Sequence, residues 1–201
     1  MKLKLGIFLY NDVEVLDFAG PFEVFSVTNE LNNYQLFDIY TFSTSTSIMA
    51  LNGLSVSADK PLKDVENLDV LVIPGGAGSR VESEKENVLL KLEELIESAS
   101  YVLSICSGAR FLAHLGLLKN APFCTHQGVY QHISHLEPSA IPQSSKRFIT
   151  HGKITTTGGI SAGIDGSFHL LKTIHGENIV KETAEYMEYF VRDENGAPLK
   201  H

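Results

Sequence analysis

The segment Tyr101-Val-Leu-Ser-Ile-Cys106-Ser-Gly-Ala109 contains the clearest structural signal in the chain. Its apolar run, residues 101–105, predicts a strand buried on both faces, and residues 109–118 predict a helix. Cys106 therefore lies at a sharp turn from strand to helix, which lifts its side chain out of the end of the sheet. A helix amino terminus favours the thiolate, so we expect a nucleophilic cysteine of low pKa. The alternative is a small buried apolar residue, a common fate of cysteines.

The pattern of buried strands and helices extends in both directions from this segment. Apolar runs predict further strands at residues 5–10 and 69–73, and residues 37–42 are predicted to form another. Turn residues predict hairpins around Asn52-Gly53 and His151-Gly152-Lys153. Helices are predicted from Gly20-Pro21 onward, along a face made of Val88, Leu92, Leu95, Ile96 and Ala99, and over residues 161–174 and 177–191. Alternating strands and helices indicate the α/β class, with a parallel sheet covered by helices. Ligands of such folds bind outside the carboxyl ends of the strands.

Composition places the chain among ordinary globular proteins. It has 201 residues, 43% hydrophobic and 20% charged, so we expect a single domain over residues 1–201. The 16 Lys and Arg against 24 Asp and Glu give a net charge of −8, and no basic run gathers the cations. That balance argues against nucleic acid and anionic lipid as partners. Two cysteines fit a reducing compartment, and no apolar run approaches the ~20 residues that span a bilayer. We therefore expect a cytoplasmic protein without membrane association.

Other candidate site residues follow strands at the same predicted edge of the sheet. Gly75 and Gly76 end the strand at residues 69–73, and we expect the Gly76 N–H and the amide after Cys106 to stabilise developing negative charge. Asp17 follows the first strand among apolar neighbours, where burial disfavours its charged form. Such a carboxyl exchanges a proton near neutral pH or orients a thiol. A turn or helix-capping Asp is the simpler interpretation of the same residue.

The histidines and the second cysteine give weaker signals. His126 is the one plausible base for Cys106, because it follows the strand after the elbow helix, although a bystander role fits equally well. His126, His132 and His135 lie close in sequence without a complete zinc signature, so we expect no metal and no cofactor. Cys124 lies in a strand-like stretch without a helix start behind it, and we expect a structural role for it.

Four segments that contain these candidates match one known pattern in the same order along the chain. They are Leu16-Asp-Phe-Ala-Gly-Pro-Phe-Glu-Val-Phe25, Ile73-Pro-Gly-Gly76, Ser104-Ile-Cys-Ser-Gly-Ala109 and Thr157-Gly-Gly-Ile-Ser-Ala-Gly-Ile-Asp165. Together they resemble the ThiJ/PfpI superfamily, over nearly the whole chain. The resemblance implies a flavodoxin-like three-layer sandwich with a mostly parallel central sheet, related to class I glutamine amidotransferases, and a homodimer. It also implies that Cys106 is the nucleophile and Asp17 its carboxylate partner.

The residue after the cysteine separates the branches of this superfamily. Protease and glyoxalase-like members carry histidine there and usually glutamate as the acidic partner, whereas this chain has Ser107 and Asp17. The Asp, Cys and hydroxyl combination, with Thr125-His126 after the elbow helix, resembles the isonitrile hydratases. That resemblance implies a small-molecule substrate, an isonitrile hydrated to an N-formamide through a Cys106 thioimidate. Asp17 is then an acid/base that is protonated at first, while Ser107 and backbone amides hold the thioimidate.

Two other classes of function stay open. A cysteine hydrolase, amidase or glyoxalase-like enzyme needs a general base, for which His126 is the candidate. A non-enzymatic redox or stress-sensing module would use oxidation of Cys106 as its switch. The superfamily core also occurs in transcription regulators fused to a helix-turn-helix domain, and we expect no such domain in a chain of 201 residues.

Overall fold

Strands and helices alternate along the chain in the computed structural model, which describes residues 1–199. The strands are β1 (Leu3–Leu9), β2 (Phe37–Ser43), β3 (Ser47–Met49), β4 (Ser55–Ser57), β5 (Lys60–Pro61), β6 (Val70–Ile73), β7 (Tyr101–Ser104), β8 (Pro122–Phe123), β9 (Ile141–Pro142), β10 (Phe148–His151) and β11 (Ile154–Thr157). The α-helices are α1 (Val15–Leu31), α2 (Ser79–Glu82), α3 (Glu86–Ser98), α4 (Ala109–His114), α5 (Tyr130–Leu136), α6 (Ala162–His175) and α7 (Glu177–Tyr186). The predicted α/β class is confirmed.

The central sheet has seven strands in the order β10-β11-β7-β6-β1-β2-β5. All neighbours in it are parallel except β10 and β11, which form the predicted antiparallel hairpin. From β1 the chain moves to β2 on one side, and from β6 it moves to β7 in the opposite direction. Because crossover connections are right-handed, α1 and α3 cover opposite faces of the sheet. The predicted three-layer sandwich with a mostly parallel sheet is confirmed.

The core lies on both faces of the central strands. Every residue of β6 is buried, as is typical of parallel strands with helices on both sides. All five residues of the predicted face around α3 are buried, from Val88 to Ala99. On the other face, α1, α6 and α7 pack against each other and against the strands. The carboxyl ends of β1, β6 and β7 therefore meet at one edge, held between two layers of helices.

The first helix begins five residues earlier than the sequence indicates. The predicted start at Gly20-Pro21 is wrong, because α1 begins at Val15 and contains Pro21 in its second turn. After β1 the chain is fixed to the glycine turn by a bridge between Val13 and Gly76, and the Glu14 N–H donates to the Gly75 carbonyl at 2.9 Å. That attachment starts the helix at once. Proline lacks an N–H, so its position seven residues into the helix costs one intrahelical hydrogen bond.

Two further helices are shorter than predicted, whereas the small hairpin is confirmed. The elbow helix α4 ends at His114 rather than residue 118, ahead of a turn in which Gly116 has a φ of 69°. Helix α7 ends at Tyr186 rather than residue 191. Strands β3 and β4 pair antiparallel across the loop that contains Asn52 (φ 64°) and Gly53 (φ 93°). Asn and Gly tolerate this left-handed conformation best, which is why the pair predicts the turn.

Candidate active site

Cys106 lies two residues after the end of β7, at the edge where the parallel strands end. Its φ of 55° is unusual for a residue with a side chain and marks a strained turn between the strand and α4. Gly108 makes the turn possible, because a Cβ there would lie 2.3 Å from the Ile73 carbonyl oxygen. The Thr125 hydroxyl donates to the Cys106 carbonyl at 2.6 Å and fixes the elbow from the other side. The cysteine side chain is held in place and is 7% exposed.

Asp17 reaches the same place from the first turn of α1. The residue is fully buried, and its Oδ2 accepts a hydrogen bond from the Gly75 N–H at 3.0 Å. Its Oδ1 makes no conventional hydrogen bond with residues 1–199, and the side chain that interacts with the carboxyl is the Cys106 thiol. Glu14 is the residue that precedes the helix, so Asp17 lies inside the first turn and not at the capping position. The structure therefore brings Asp17 and Cys106 together as a buried pair.

Both members of this pair have raised pKa values. Burial raises the pKa of Asp17 to about 7, against the Gly75 hydrogen bond, which lowers it. Burial and the Asp17 charge raise the pKa of the Cys106 thiol to about 12. The expectation of a low-pKa thiol is therefore wrong. Desolvation and a neighbouring carboxylate outweigh the short turn of helix behind the sulfur, so the resting thiol holds its proton.

Two backbone amides lie close enough to the Cys106 sulfur to lower the pKa of the thiol. The Ser107 N–H and the Ile160 N–H each lower the pKa of Cys106, and the Ile160 amide also faces the Asp17 carboxyl. Ile160 has a φ of 52°, strained for a β-branched residue, in the loop between β11 and α6. These amides are donors placed where negative charge on sulfur, or on a group bonded to it, would develop.

The glycine amides are already used within the site. The Gly76 N–H donates to the Ser107 hydroxyl at 2.8 Å, and the Gly75 N–H is taken by Asp17. The Ser107 hydroxyl in turn donates to the Gly76 carbonyl at 3.0 Å and accepts from Ser79 at 3.0 Å. The sequence suggests that the Gly76 N–H stabilises developing negative charge. In the structure this N–H is instead bonded to the Ser107 hydroxyl. Its contribution is to fix Ser107 beside the cysteine.

A cavity of about 200 Å³ opens beside Cys106 and Ser107. Its remaining wall is formed by Glu14, Leu51, Gly76, Ala77, Arg110, His126, Val129 and Ile160. His126 is exposed at this wall, and its Nδ1 accepts from the Gly128 N–H at 3.2 Å. A neutral ring with Nδ1 as acceptor carries its proton on Nε2, which leaves neither nitrogen free to take the thiol proton. The predicted role of His126 as a base is therefore not supported by this geometry, although the residue does reach the cavity.

The chain matches the model of the DJ-1/PfpI family over residues 4–173. It belongs to the DJ-1/PfpI family. Isonitrile hydratase from Pseudomonas putida is 30% identical to it over 190 residues, which cover 94% of this chain and 79% of that enzyme. A second DJ-1/PfpI relative is the HTH-type transcriptional regulator GbdR of Pseudomonas aeruginosa, 23% identical over 98% of this chain. The match spans only 55% of that regulator.

A comparison with solved structures shows the same fold. A ThiJ/PfpI family protein from Pseudomonas syringae superimposes with a TM-score of 0.84 at 22% identity, covering 94% of this chain and 76% of that one. The likeness shows that the chain has the flavodoxin-like fold of these proteins.

Several residues of this DJ-1/PfpI site carry no clear sequence signal. Ile160 contributes through its backbone, and only the Gly158-Gly159 pair before it marks a special turn. Ser79 joins the site from α2, a helix too short to predict. Arg110 had a usable signal, because a cation in the first turn of an otherwise apolar segment is unusual.

Cys124 lies apart from this site. It is fully buried, and its thiol donates to the carbonyls of Gln143 and Lys146 at 3.5 and 3.6 Å. Within residues 1–199, no cluster of three or more His, Cys, Asp or Glu side chains has the geometry to hold a metal ion.

Proposed function

We propose that this DJ-1/PfpI chain is an isonitrile hydratase, a lyase that converts an isonitrile and water into an N-formamide. The observation that carries the proposal is the fully buried Asp17 carboxyl, whose Oδ1 has no other partner within residues 1–199, beside the Cys106 thiol. The 30% identity to the isonitrile hydratase of Pseudomonas putida supports the same class of reaction. An isonitrile carbon accepts both a proton and a nucleophile, and this pair supplies both from one place.

The first half of the reaction adds the thiol across the terminal carbon. As Sγ of Cys106 bonds to that carbon, the thiol proton passes to the Asp17 carboxylate, which then delivers it to the same carbon. The product is the thioimidate R–N=CH–S–Cys106, formed from R–N≡C and the thiol with no other reactant. The Ser107 and Ile160 N–H groups stabilise the charge that builds on sulfur during the attack. Because the thiol has the higher pKa of the two, Asp17 begins as the base above pH 7 rather than as the acid that the sequence suggests.

The second half releases the product with water. Asp17 takes a proton from the water that attacks the thioimidate carbon and delivers it to nitrogen, which gives R–NH–CH(OH)–S–Cys106. The carbon–sulfur bond then breaks, and Asp17 transfers the hydroxyl proton to the departing sulfur. The N-formamide R–NH–CHO leaves, and the thiol and carboxylate return to their starting state. Ser107, fixed by Gly76, lines the cavity in which the thioimidate stands.

The geometry gives less support to the two other classes of function. A hydrolase or amidase that relies on His126 needs a free ring nitrogen near the sulfur, and Nδ1 is occupied. A redox module needs a thiolate that is accessible to oxidant, because oxidation follows thiolate character and exposure. Cys106 is 7% exposed, and its pKa is raised to about 12. Neither property favours rapid oxidation at neutral pH.

The test is isonitrile consumption by the purified protein at pH 8. We expect an aliphatic and an aromatic isonitrile to give the corresponding N-formamides, detected by mass spectrometry. Cys106→Ala removes the nucleophile and Asp17→Asn removes the proton carrier, so each is expected to lower kcat by at least about 1,000-fold. Cys124→Ala is the matched control, because it removes the other buried thiol and leaves the site intact. Absence of turnover across a panel of isonitriles would contradict the proposal. Activity that is lost in Cys124→Ala but kept in Cys106→Ala would show that Cys106 is not the nucleophile.

A further inference from the structure

Arg110 is a buried cation without a counter-charge. It lies one helical turn after Cys106, is 4% exposed, and forms part of the same cavity wall as the cysteine. Within residues 1–199, no carboxylate lies within 4.0 Å of its guanidinium, although the chain has 24 acidic side chains. Arginine is seldom buried unless it is paired, because an unpaired buried charge is costly.

The protein holds this guanidinium with neutral groups. Nη1 donates to the Ser79 hydroxyl at 2.6 Å, and Nε donates to Nδ1 of His132 at 3.2 Å. Burial and the positive charges of Arg110 and Arg80 lower the pKa of His132, which keeps its ring neutral and able to accept. A guanidinium has five N–H groups, and these two bonds are its hydrogen bonds within the described residues. Arg110 is therefore fixed in orientation while part of its fork has no protein acceptor.

Besides the Arg110 cation, the wall of this cavity contains one carboxylate, that of Glu14. Glu14 lies on the wall with Cys106 and Arg110, and its charge contributes to the raised pKa of Asp17. Burial and the neighbouring Arg80 lower the pKa of Arg110, although its guanidinium stays charged. An anion bound at Arg110 would supply the missing counter-charge, whereas a second anionic group in this cavity would be repelled by the Glu14 carboxylate. A ligand with one negative charge fits this arrangement.

We propose that Arg110 binds the anionic group of the substrate, and that the substrates are small isonitriles that carry a single carboxylate. This inference rests on the proposed isonitrile chemistry for the reaction, whereas the anion site rests on the buried guanidinium. Arginine recognises a carboxylate through two parallel N–H···O bonds, which fixes both position and orientation. In a cavity of about 200 Å³ such a clamp directs the isonitrile carbon of a short molecule toward Cys106.

The first experiment compares an isocyano carboxylate, 3-isocyanopropanoate, with its methyl ester. We expect the wild type to prefer the acid, and Arg110→Gln to lower kcat/KM for the acid by roughly 10- to 100-fold while changing the ester by less than about 3-fold. Arg110→Lys keeps the positive charge but cannot donate two parallel hydrogen bonds to a carboxylate. We therefore expect it to lose less activity than Arg110→Gln, with the recovery mainly in KM. Lys119→Gln is the matched control, because it removes one positive charge from an exposed side chain that lies outside this cavity. An equal loss for acid and ester in Arg110→Gln would overturn the inference.

The second experiment does not depend on isonitrile turnover. Iodoacetate and iodoacetamide alkylate thiols by the same displacement of iodide and differ in the charge of one end. We expect the iodoacetate-to-iodoacetamide ratio of alkylation rates at Cys106, measured by mass spectrometry, to fall at least 5-fold in Arg110→Gln and to be unchanged in Lys119→Gln. An unchanged ratio in Arg110→Gln would overturn the anion site. If the ratio falls while no isonitrile is consumed, the anion site is supported and the proposed reaction is the part that fails.

Discussion

At the scale of single residues, the Asp17–Cys106 pair determines how the site responds to pH. The pKa of Asp17 is raised to about 7 and that of Cys106 to about 12, so between these values the pair holds one proton. Interacting groups titrate as a unit, and this singly protonated form has a carboxylate ready to take the thiol proton. Below pH 7 a second proton occupies the carboxylate and removes the base.

We therefore expect kcat/KM for an isonitrile to rise as pH increases through about 7 and then to level off. The measurement is the initial rate from pH 5.5 to 9 at low substrate concentration. Cys124→Ala is expected to give the same profile, because it leaves the pair intact. A rate that falls from pH 6 to pH 8 would mean that protonated Asp17 begins the reaction, contrary to the order derived above.

The same carboxyl is expected to reduce folding stability at high pH. Its pKa is raised from 3.8 to about 7 by folding, so the folded state binds more protons than the unfolded state between these values. Stability from this residue is complete below pH 3.8 and is lost as pH rises through 7. The difference corresponds to at most ~4 kcal/mol. Asp17→Asn, whose amide oxygen can still accept from Gly75, should therefore be more stable than the wild type at pH 8 and lose that advantage near pH 4.

Urea denaturation at both pH values measures this effect. Asp38→Asn is the control, because Asp38 is exposed on β2 and lacks the burial that raises the Asp17 pKa. A destabilised Asp17→Asn at pH 8 would show that the ionised carboxyl contributes net stability through its Gly75 bond.

Sequence predicts residue identities at this site better than their electrostatics. Cys106, Asp17 and Ser107 are found from motifs and from the ends of buried strands. The direction of the thiol pKa is not, because it depends on how fully Asp17 and Cys106 are desolvated together. The Ile160 amide is missed for a related reason, since a backbone donor leaves no mark on residue type.

At the scale of elements, the buried strands are predictable and the ends of helices are not. Largely apolar runs identify β1, β6 and β7, because a strand covered on both faces has few polar positions. The start of α1 is missed, because the tie between Glu14 and Gly75 that begins the helix joins residues far apart in sequence. Local signals such as Pro21 are overridden by that tertiary contact.

The end of α3 gives another case in which a distant residue fixes an element. Lys153, in the loop between β10 and β11, donates to the carbonyls of Ile96, Glu97 and Ala99 at 2.6, 3.0 and 3.0 Å. The last carbonyls of a helix have no partners within the helix, and a cation there also favours the helix dipole. The side chain therefore joins the hairpin to α3.

We expect Lys153→Met to lower the free energy of unfolding by ~1–2 kcal/mol, because methionine retains much of the apolar stem and removes the donors. The measurement is urea denaturation at pH 7. Lys63→Met is the control, since Lys63 is exposed and makes no hydrogen bond within the described residues. Equal effects of the two substitutions would show that the contacts to α3 contribute nothing.

At the scale of the whole molecule, several expectations from composition stay predictions. Among residues 1–199, no helix is both long and apolar enough to cross a membrane. The net charge of −8 argues against nucleic acid, yet one DJ-1/PfpI relative is a transcription regulator of which this chain matches about half. The homodimer, the single domain over residues 1–201 and the cytoplasmic location likewise stay predictions.

The hydrogen bonds of the glycine turn also determine when a newly made chain becomes reactive. The Asp17–Gly75 bond joins residues 58 positions apart, and the Gly76–Ser107 bond joins residues 31 apart. Long loops must close before either bond forms, so each waits for several strands to dock. The amide of Ile160 is the last component to be synthesised. A ribosome-bound chain that ends before Ile160 therefore contains Cys106 and Asp17 but lacks this amide. We expect such a chain to have no catalytic activity.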